Sequence, residues 1–318
     1  MMSEISEIID KDGFPITYEI PSPRGGDVSN YIEEVKNYDF LDHLTAVNIC
    51  NNPVGLVRID PAPYAYMLKK QIDVETIVHL TCRDSNLSGL QKWLLGAHCL
   101  EIKNILAMSG DVSMGDYPAE ERVGHINSLE LITGIKNYLN KGKLMPELSS
   151  KPYRTRNRYM NELEELEDPT DFNVGGVLIP ARKNEARYAV KKIKAGADFF
   201  QTQISYDVEE IIQSLDDIEE KVDDPPSVLV STTPLSSPSM MSTLIESIPQ
   251  VSVPEDVKDR FVRTDDFSKE SIEFTIEFYE RLITRAKEIG LKTKIGAHII
   301  PLQSEENSYE IIRRLSDL

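Results

Sequence analysis

The sequence predicts a single α/β domain, a parallel (β/α)8 TIM barrel. Apolar runs of four to seven residues alternate with amphipathic segments along the chain, the pattern of parallel strands inside a coat of helices. Eight such runs occur, and seven are followed by a clear helix. The length of 318 residues, 40% of them hydrophobic, suits one large core, and barrels of this kind commonly reach that size as one domain.

Met1 to Gly13 reads as a flexible lead, and Ile16 to Ile20 as the first strand. The turn-rich PSPRGGD, Pro21 to Asp27, follows. Ser29 is placed to cap a helix over Tyr31 to Asn37. The second strand, His43 to Ile49, runs into Cys50-Asn51-Asn52-Pro53, where the proline forbids a helix, and Pro63 to Lys70 is a short helix. Glu75 to Asp111 reads as a complete strand, helix, strand unit: Thr76 to Cys82, Leu87 to Cys99 and Asn104 to Met108. A loop and a helix from about Ile126 to Asn140 come next. Residues 141–171 form an extra loop or helix insertion, with a basic patch from Lys151 to Arg158 and an acidic run, NELEELED.

The fifth strand spans Asn173 to Ile179, its helix Asn184 to Ala195, and the sixth strand Asp198 to Gln203. Asp207 opens the sixth helix, and Val228 to Ser231 is the seventh strand. Ser239 to Ser247 and Val257 to Arg260 are short helices, and Ser268 to Ile289 a long one. Lys294 to Ile300 is the eighth strand, with a closing helix from Glu306 to Leu315.

Bulk chemistry narrows the partners. A net charge of -18 argues against nucleic acid and against an anionic membrane surface. No run approaches the ~20 apolar residues of a membrane helix, and the acidic start lacks the features of a signal peptide, so a cytoplasmic protein is expected. Three cysteines, Cys50, Cys82 and Cys99, lack metal-ligand spacing and cannot all pair, which suits reduced structural thiols. No glycine-rich dinucleotide loop is present, since Gly25-Gly26 and Gly175-Gly176 are too short.

A parallel barrel gathers strand-end residues at one mouth, here Glu19, Asn51, Arg83, Asp84, Asp111, Gln203 and His298. Glu19, between Tyr18 and Ile20 in a strand, is a carboxylate that burial makes costly unless it is used, and desolvation raises its pKa toward that of a general acid. Asp111 after Ser109-Gly110 reads equally as a turn residue. His79, inside an apolar strand, reads first as a hydrogen-bonded core histidine.

HLTCRD (His79 to Asp84), LLGAH (Leu94 to His98) and LAMSGD (Leu106 to Asp111) together resemble the methylenetetrahydrofolate reductase family. The resemblance continues through YEIPSPR, AGADFFQTQISYD and GAHIIPL, and so covers nearly the whole chain. It implies a barrel that holds FAD at the carboxyl ends of its strands and serves one-carbon metabolism and methionine biosynthesis. The implied reaction reduces the methylene group of a 5,10-methylene tetrahydropterin, folate or methanopterin-like, to 5-methyl, with hydride passing from NAD(P)H through the flavin. By the same resemblance Glu19 is the general acid, Asp111 lies near the flavin N1 and O2 edge, and Gln203 holds the pterin. His79 and Lys192 are implied flavin contacts, Lys192 near the pyrophosphate, and Cys50, Arg83, Ser109, Gly110 and His125 join them as cofactor-binding positions.

The chain departs from the family at several of these places. Cys50-Asn51 replaces a Thr-Asp pair, His125 and Asn127 replace two carboxylates, and Ile179 and Ile300 replace an asparagine and a tyrosine. Two other readings therefore stand beside the flavoenzyme: a flavin-independent reductase of the same reaction, and a catalytically idle barrel serving a methyl-transfer system. A homo-oligomer is compatible with all three.

Overall fold

The computed structural model describes residues 13–110, 123–146, 165–248, 250–302 and 304–318. Eight strands, β1 (Ile16–Ile20), β2 (Ala46–Ile49), β3 (Thr76–Thr81), β4 (Asn104–Met108), β5 (Asn173–Leu178), β6 (Phe199–Thr202), β7 (Ser227–Thr232) and β8 (Ile295–Ile299), pair in sequence order. Every pairing is parallel, and β8 closes on β1 with Ile16 opposite Ala297 and Thr17 opposite His298. The ring is the (β/α)8 barrel that the alternation predicts.

Helices α1 (Ser29–Lys36), α2 (Pro61–Ile72), α3 (Leu87–Cys99), α4 (Ser128–Asn137), α5 (Glu185–Ala195) and α6 (Val208–Glu219) cover the ring, followed by α7 (Pro238–Ser247), α8 (Glu255–Val262), α9 (Phe267–Ile289) and α10 (Glu305–Leu315). Local chemistry sets several starts. Asp60 Oδ1 accepts from Ala62 N at 3.0 Å with Pro61 as the first helical residue of α2, and Asn86 Oδ1 accepts from Gly89 N at 2.8 Å to open α3. Asp207 does the same for α6, its Oδ1 accepting from Glu210 N at 3.0 Å.

Some boundaries differ from the sequence-based expectation. Ser29 lies inside α1, and the carboxylate of Asp27 accepts its backbone N–H at 3.0 Å. Leu41–His43 forms a 3-10 turn, so β2 begins only at Ala46. The helix expected from Ile126 starts at Ser128, because Asn127 and Glu130 close a reciprocal capping box ahead of it. The insertion at 141–171 is pinned at its ends, where Lys143 bridges Glu165 and Leu166 N donates to Gly142 O at 2.8 Å. The expected lead, Asp111 and the basic patch from Lys151 to Arg158 lie outside the described residues.

Two apolar layers form the core. One lies between strands and helices, and Ala46, Ile77, Leu106, Phe199 and Leu229 fill the lower barrel interior. Gly175 makes room there: a Cβ on it would stand 2.3 Å from Phe199 Cζ, so the ring of Phe199 occupies the space a side chain would need. With the lower interior filled by hydrocarbon, the polar inward residues are displaced toward the carboxyl ends of the strands, where barrels carry their chemistry.

Candidate active site at the mouth of the barrel

Register places the polar residues. Glu19 of β1 pairs with Asn48 of β2, and Ser231 of β7 pairs with His298 of β8. Thr17, Asn48, His79, Ser231 and His298 are all buried. Four of them form a directional chain: His79 Nε2 lies 3.1 Å from Asn48 Oδ1, and Asn48 Nδ2 lies 3.2 Å from His298 Nδ1, which also approaches Thr17 Oγ1 at 2.9 Å, whereas Ser231 Oγ donates to Thr202 O at 2.6 Å. With the Asn48 carbonyl facing His79, the His79 proton is on Nε2. The Asn48 amide nitrogen donates to His298 Nδ1, so the His298 proton is also on Nε2. That Nε2 and the Oε1 of Gln201 are buried without a hydrogen-bond partner among the described residues.

Burial keeps both imidazoles neutral. The His79 pKa is pushed down to about 4 and that of His298 to about 3 by desolvation, with the His79 charge adding to the fall at His298. Above this network stand Glu19, Cys50 and His79, one donor atom from each lying within 4.8 Å of the others. Glu19 is half-buried at the mouth, yet protein atoms enclose its carboxyl. Desolvation raises its pKa, and a hydrogen bond with Cys50 partly opposes the rise. A carboxyl whose pKa is raised by desolvation, beside neutral histidines, is suited to deliver a proton to a bound ring nitrogen.

The other expected site residues are distributed around the rim. Arg83 follows β3 and is buried; its Nε donates to Asp84 Oδ1 at 2.7 Å, while Asn52 Nδ2 donates to Asp84 Oδ2 at 3.2 Å. Gly110, at φ +89, packs on that arginine: a Cβ there would lie 2.8 Å from Arg83 Cβ and carry a left-handed backbone penalty as well. Ser109 is exposed and 3.4 Å from Ser128 Oγ, and His125 is half-buried before α4. Gln203 is half-buried just past β6, three strands round the ring from β1, with its Oε1 accepting from Ile204 N at 2.9 Å. Asn51 is half-buried beside Cys50.

Lys192 departs most from its expected setting. It is buried, its Nζ donates to Val177 O at 2.5 Å, and desolvation lowers its pKa to about 8 against the pull of the Glu185 carboxylate. Glu185 is also buried and pairs with Arg182. The unpartnered His298 Nε2 and Gln201 Oε1 are groups that the polar edge of a flavin or pterin ring could satisfy. Around Lys192 the positive charge is already turned inward and balanced.

Sequence reasoning identifies Glu19, Cys50, His79 and His298 but misses Asn48, Thr17, Gln201 and Ser231. Asn48 and Gln201 were detectable as lone amides inside the apolar strands AVNI and FFQT, since a buried amide needs partners. Thr17 and Ser231 give no comparable signal, because Thr and Ser are ordinary strand residues.

Fold and site together define a (β/α)8 barrel whose carboxyl-end mouth carries a carboxyl of raised pKa beside a neutral imidazole network. The chain belongs to the methylenetetrahydrofolate reductase family, whose model matches residues 4–158 and 176–316. Among solved structures, it is similar to an uncharacterized protein from Clostridium thermocellum that binds two copies of 5-methyl-5,6,7,8-tetrahydrofolic acid. The match covers 99% of this chain and 98% of that one, with a TM-score of 0.65 and 16% identity. At that identity the likeness speaks for the shared fold. No helix among the described residues is long and apolar enough to cross a membrane.

Proposed function

We propose that the protein reduces the methylene group of a 5,10-methylene tetrahydropterin to a 5-methyl group, with hydride drawn from NAD(P)H. The observation that carries this reading is Glu19, a carboxyl of raised pKa within 4.8 Å of His79, whose own proton faces Asn48. Glu19 donates its proton to the pterin nitrogen that leaves the one-carbon bridge. The five-membered ring opens to an iminium, and hydride addition at its carbon completes the methyl group. Gln203 and Asp111 are the residues assigned to hold the pterin, and the family membership of the chain supports that assignment. The binding of 5-methyltetrahydrofolic acid by the Clostridium thermocellum protein supports a reduced folate as the ligand. When bound, FAD would supply a relay that accepts hydride from NAD(P)H and passes it on; His79, Cys50, Arg83, Ser109, Gly110, His125 and Asp111 are the residues assigned to hold it, Asp111 at the N1 and O2 edge of its ring.

A second reading, direct hydride transfer from the nicotinamide without flavin, is favoured by two observations. Lys192 and Arg182 are committed to Val177 O and to Glu185, and Asn127 spends its side chain on the capping box of α4. Absorbance of the purified protein separates the readings. Flavin bands that bleach with NAD(P)H select the relay, and colourless protein that still oxidises NAD(P)H when pterin is added selects direct transfer. The shared core of both is tested by Glu19→Gln, expected to lower kcat by roughly 10²- to 10⁴-fold with a smaller change in pterin affinity. A variant that turns over like the parent, or a parent with no pterin-dependent NAD(P)H oxidation, sinks the proposal.

A further inference from the structure

One amide joins the two buried imidazoles. Asn48 of β2 stands opposite Glu19 on β1 and Ile77 on β3, with its Oδ1 3.1 Å from His79 Nε2 and its Nδ2 3.2 Å from His298 Nδ1. We propose that Asn48 is a positioning residue of the mouth: it fixes His79 and His298 each as the Nε2-protonated tautomer, so that Glu19 works beside a single, unchanging hydrogen-bond pattern. The catalytic part of this role rests on the reductase reading, and the lock on the rings rests on the two distances.

A carboxamide suits both rings at once. Its oxygen accepts and its nitrogen donates, so between two imidazoles it needs one facing nitrogen that carries a proton and one that does not. A hydroxyl in that place offers a single atom, and an apolar side chain offers none. Burial makes the demand strict, because Asn48 and His298 are 0% exposed and His79 is 4% exposed, which leaves little access for water to stand in for the amide. Thr17 does not settle the matter. Its Oγ1 lies 2.9 Å from His298 Nδ1 and 3.3 Å from Ala297 O, and a hydroxyl can donate or accept at that nitrogen.

Desolvation sets the charge of the rings but leaves the tautomer open. It holds the His79 pKa at about 4 and that of His298 at about 3, yet both neutral forms of an imidazole are equally uncharged. The choice between them falls to the hydrogen bond each ring makes, and for both rings that bond runs to Asn48. The titratable groups around His79 are Glu19 of β1, Cys50 just past β2 and His298 of β8. One His79 nitrogen lies within 4.8 Å of a Glu19 oxygen and of the Cys50 sulfur. A ring that exchanged tautomers would face that carboxyl as a donor for part of the time and as an acceptor for the rest. A fixed ring spares Glu19 that competition.

The lock is read by nitrogen-15 NMR of histidine-labelled protein without pterin or nicotinamide. In the parent at pH 7, both rings should show a protonated Nε2 and a bare Nδ1. Asn48→Asp keeps the shape and removes the donor. A carboxylate accepts from both rings, so His298 should gain a proton on Nδ1 while His79 keeps its own on Nε2. Asn48→Leu should release His79 into a mixture of tautomers, and Thr17→Val should leave both rings as in the parent.

Turnover reads the catalytic part. Asn48→Leu is expected to lower kcat by about tenfold or more with a smaller change in the KM for pterin. Melting curves check that each variant is folded, and Asn48→Asp, the closer in shape, carries the test if Asn48→Leu does not fold. A His298 Nδ1 that stays bare in Asn48→Asp, or a parent His79 with its proton on Nδ1, overturns the lock. Released tautomers with an unchanged kcat in Asn48→Leu overturn the positioning role, since a merely structural amide would lower the melting temperature alone. A parent with no pterin-dependent NAD(P)H oxidation sinks the reductase reading instead, and the tautomers still decide the lock.

Discussion

Glu19 and the two buried histidines pull stability in opposite directions along the pH scale. Glu19 has a folded-state pKa above its unfolded value, so its stabilising contribution is fully present below pH ~4.3 and is lost as pH rises through the folded pKa. The melting temperature of Glu19→Gln, measured from pH 4 to pH 8, is therefore expected to gain on the parent as pH increases. A constant gap would remove the premise that desolvation dominates at this carboxyl. His79 has the reverse sign. Its pKa falls from ~6.5 to about 4 on folding, so stability is full above pH ~6.5 and drains away as pH drops toward 4, a loss on the order of 3 kcal/mol. His79→Gln, which keeps a group able to donate to Asn48, should shift the acid-unfolding midpoint to lower pH. An unchanged midpoint would show that the acid sensitivity arises elsewhere.

Single elements show what the sequence reveals and what it conceals. The bounds of β1, α3 and β4 follow from the residues alone, because each apolar run ends at a strong punctuator: Pro21 after β1, Asn86 ahead of α3 and Ser109-Gly110 after β4. The start of β2 is hidden, since Leu41 and Leu44 look like strand residues and only tertiary packing turns the segment into a 3-10 helix. The site divides in the same way. Strand-end acids and histidines stand out as costly to bury, whereas the pairing of Asn48 with both His79 and His298 depends on a register that no local pattern encodes. Likeness to the family marks Lys192 as a phosphate contact, and only coordinates reveal it bonded to Val177 O. Gly175 carries the prediction that belongs at this scale. Gly175→Ala drives a methyl into Phe199 and should destabilise the fold by about 1 to 3 kcal/mol in denaturant titration. Adding Phe199→Leu should recover part of that loss, and two losses that simply add would rule out the clash. Asn127→Ala, by contrast, removes only the cap of α4 and is expected to cost about 1 kcal/mol.

At the scale of the whole molecule the ring matters more than any strand. The β8–β1 pairing leaves no edge in the barrel, and the last helices lock that seam from outside. Tyr279 of α9 donates its hydroxyl to Val230 O of β7 at 2.7 Å. Arg314 of α10 pairs with Glu273 of α9 at 2.8 Å, and Arg313 pairs with Asp39, which follows α1. Chain end and chain start therefore share one set of contacts. Removing residues 294–318 takes away β8 and α10 together, exposes the pairing edges of β1 and β7, and uncovers the apolar face of α9 and the rings of Tyr38 and Phe40 that pack on Tyr309. A domain that folds as one unit should then lose the whole structure and not a local part of it. The intact chain is expected to unfold in a single transition whose calorimetric and van't Hoff enthalpies agree, and the truncated chain to show no cooperative melt and to aggregate. A truncated form that kept a sharp transition of reduced enthalpy would instead mean that β1 to β7 stand as a separate cooperative block, and that the last strand closes the mouth without holding up the barrel.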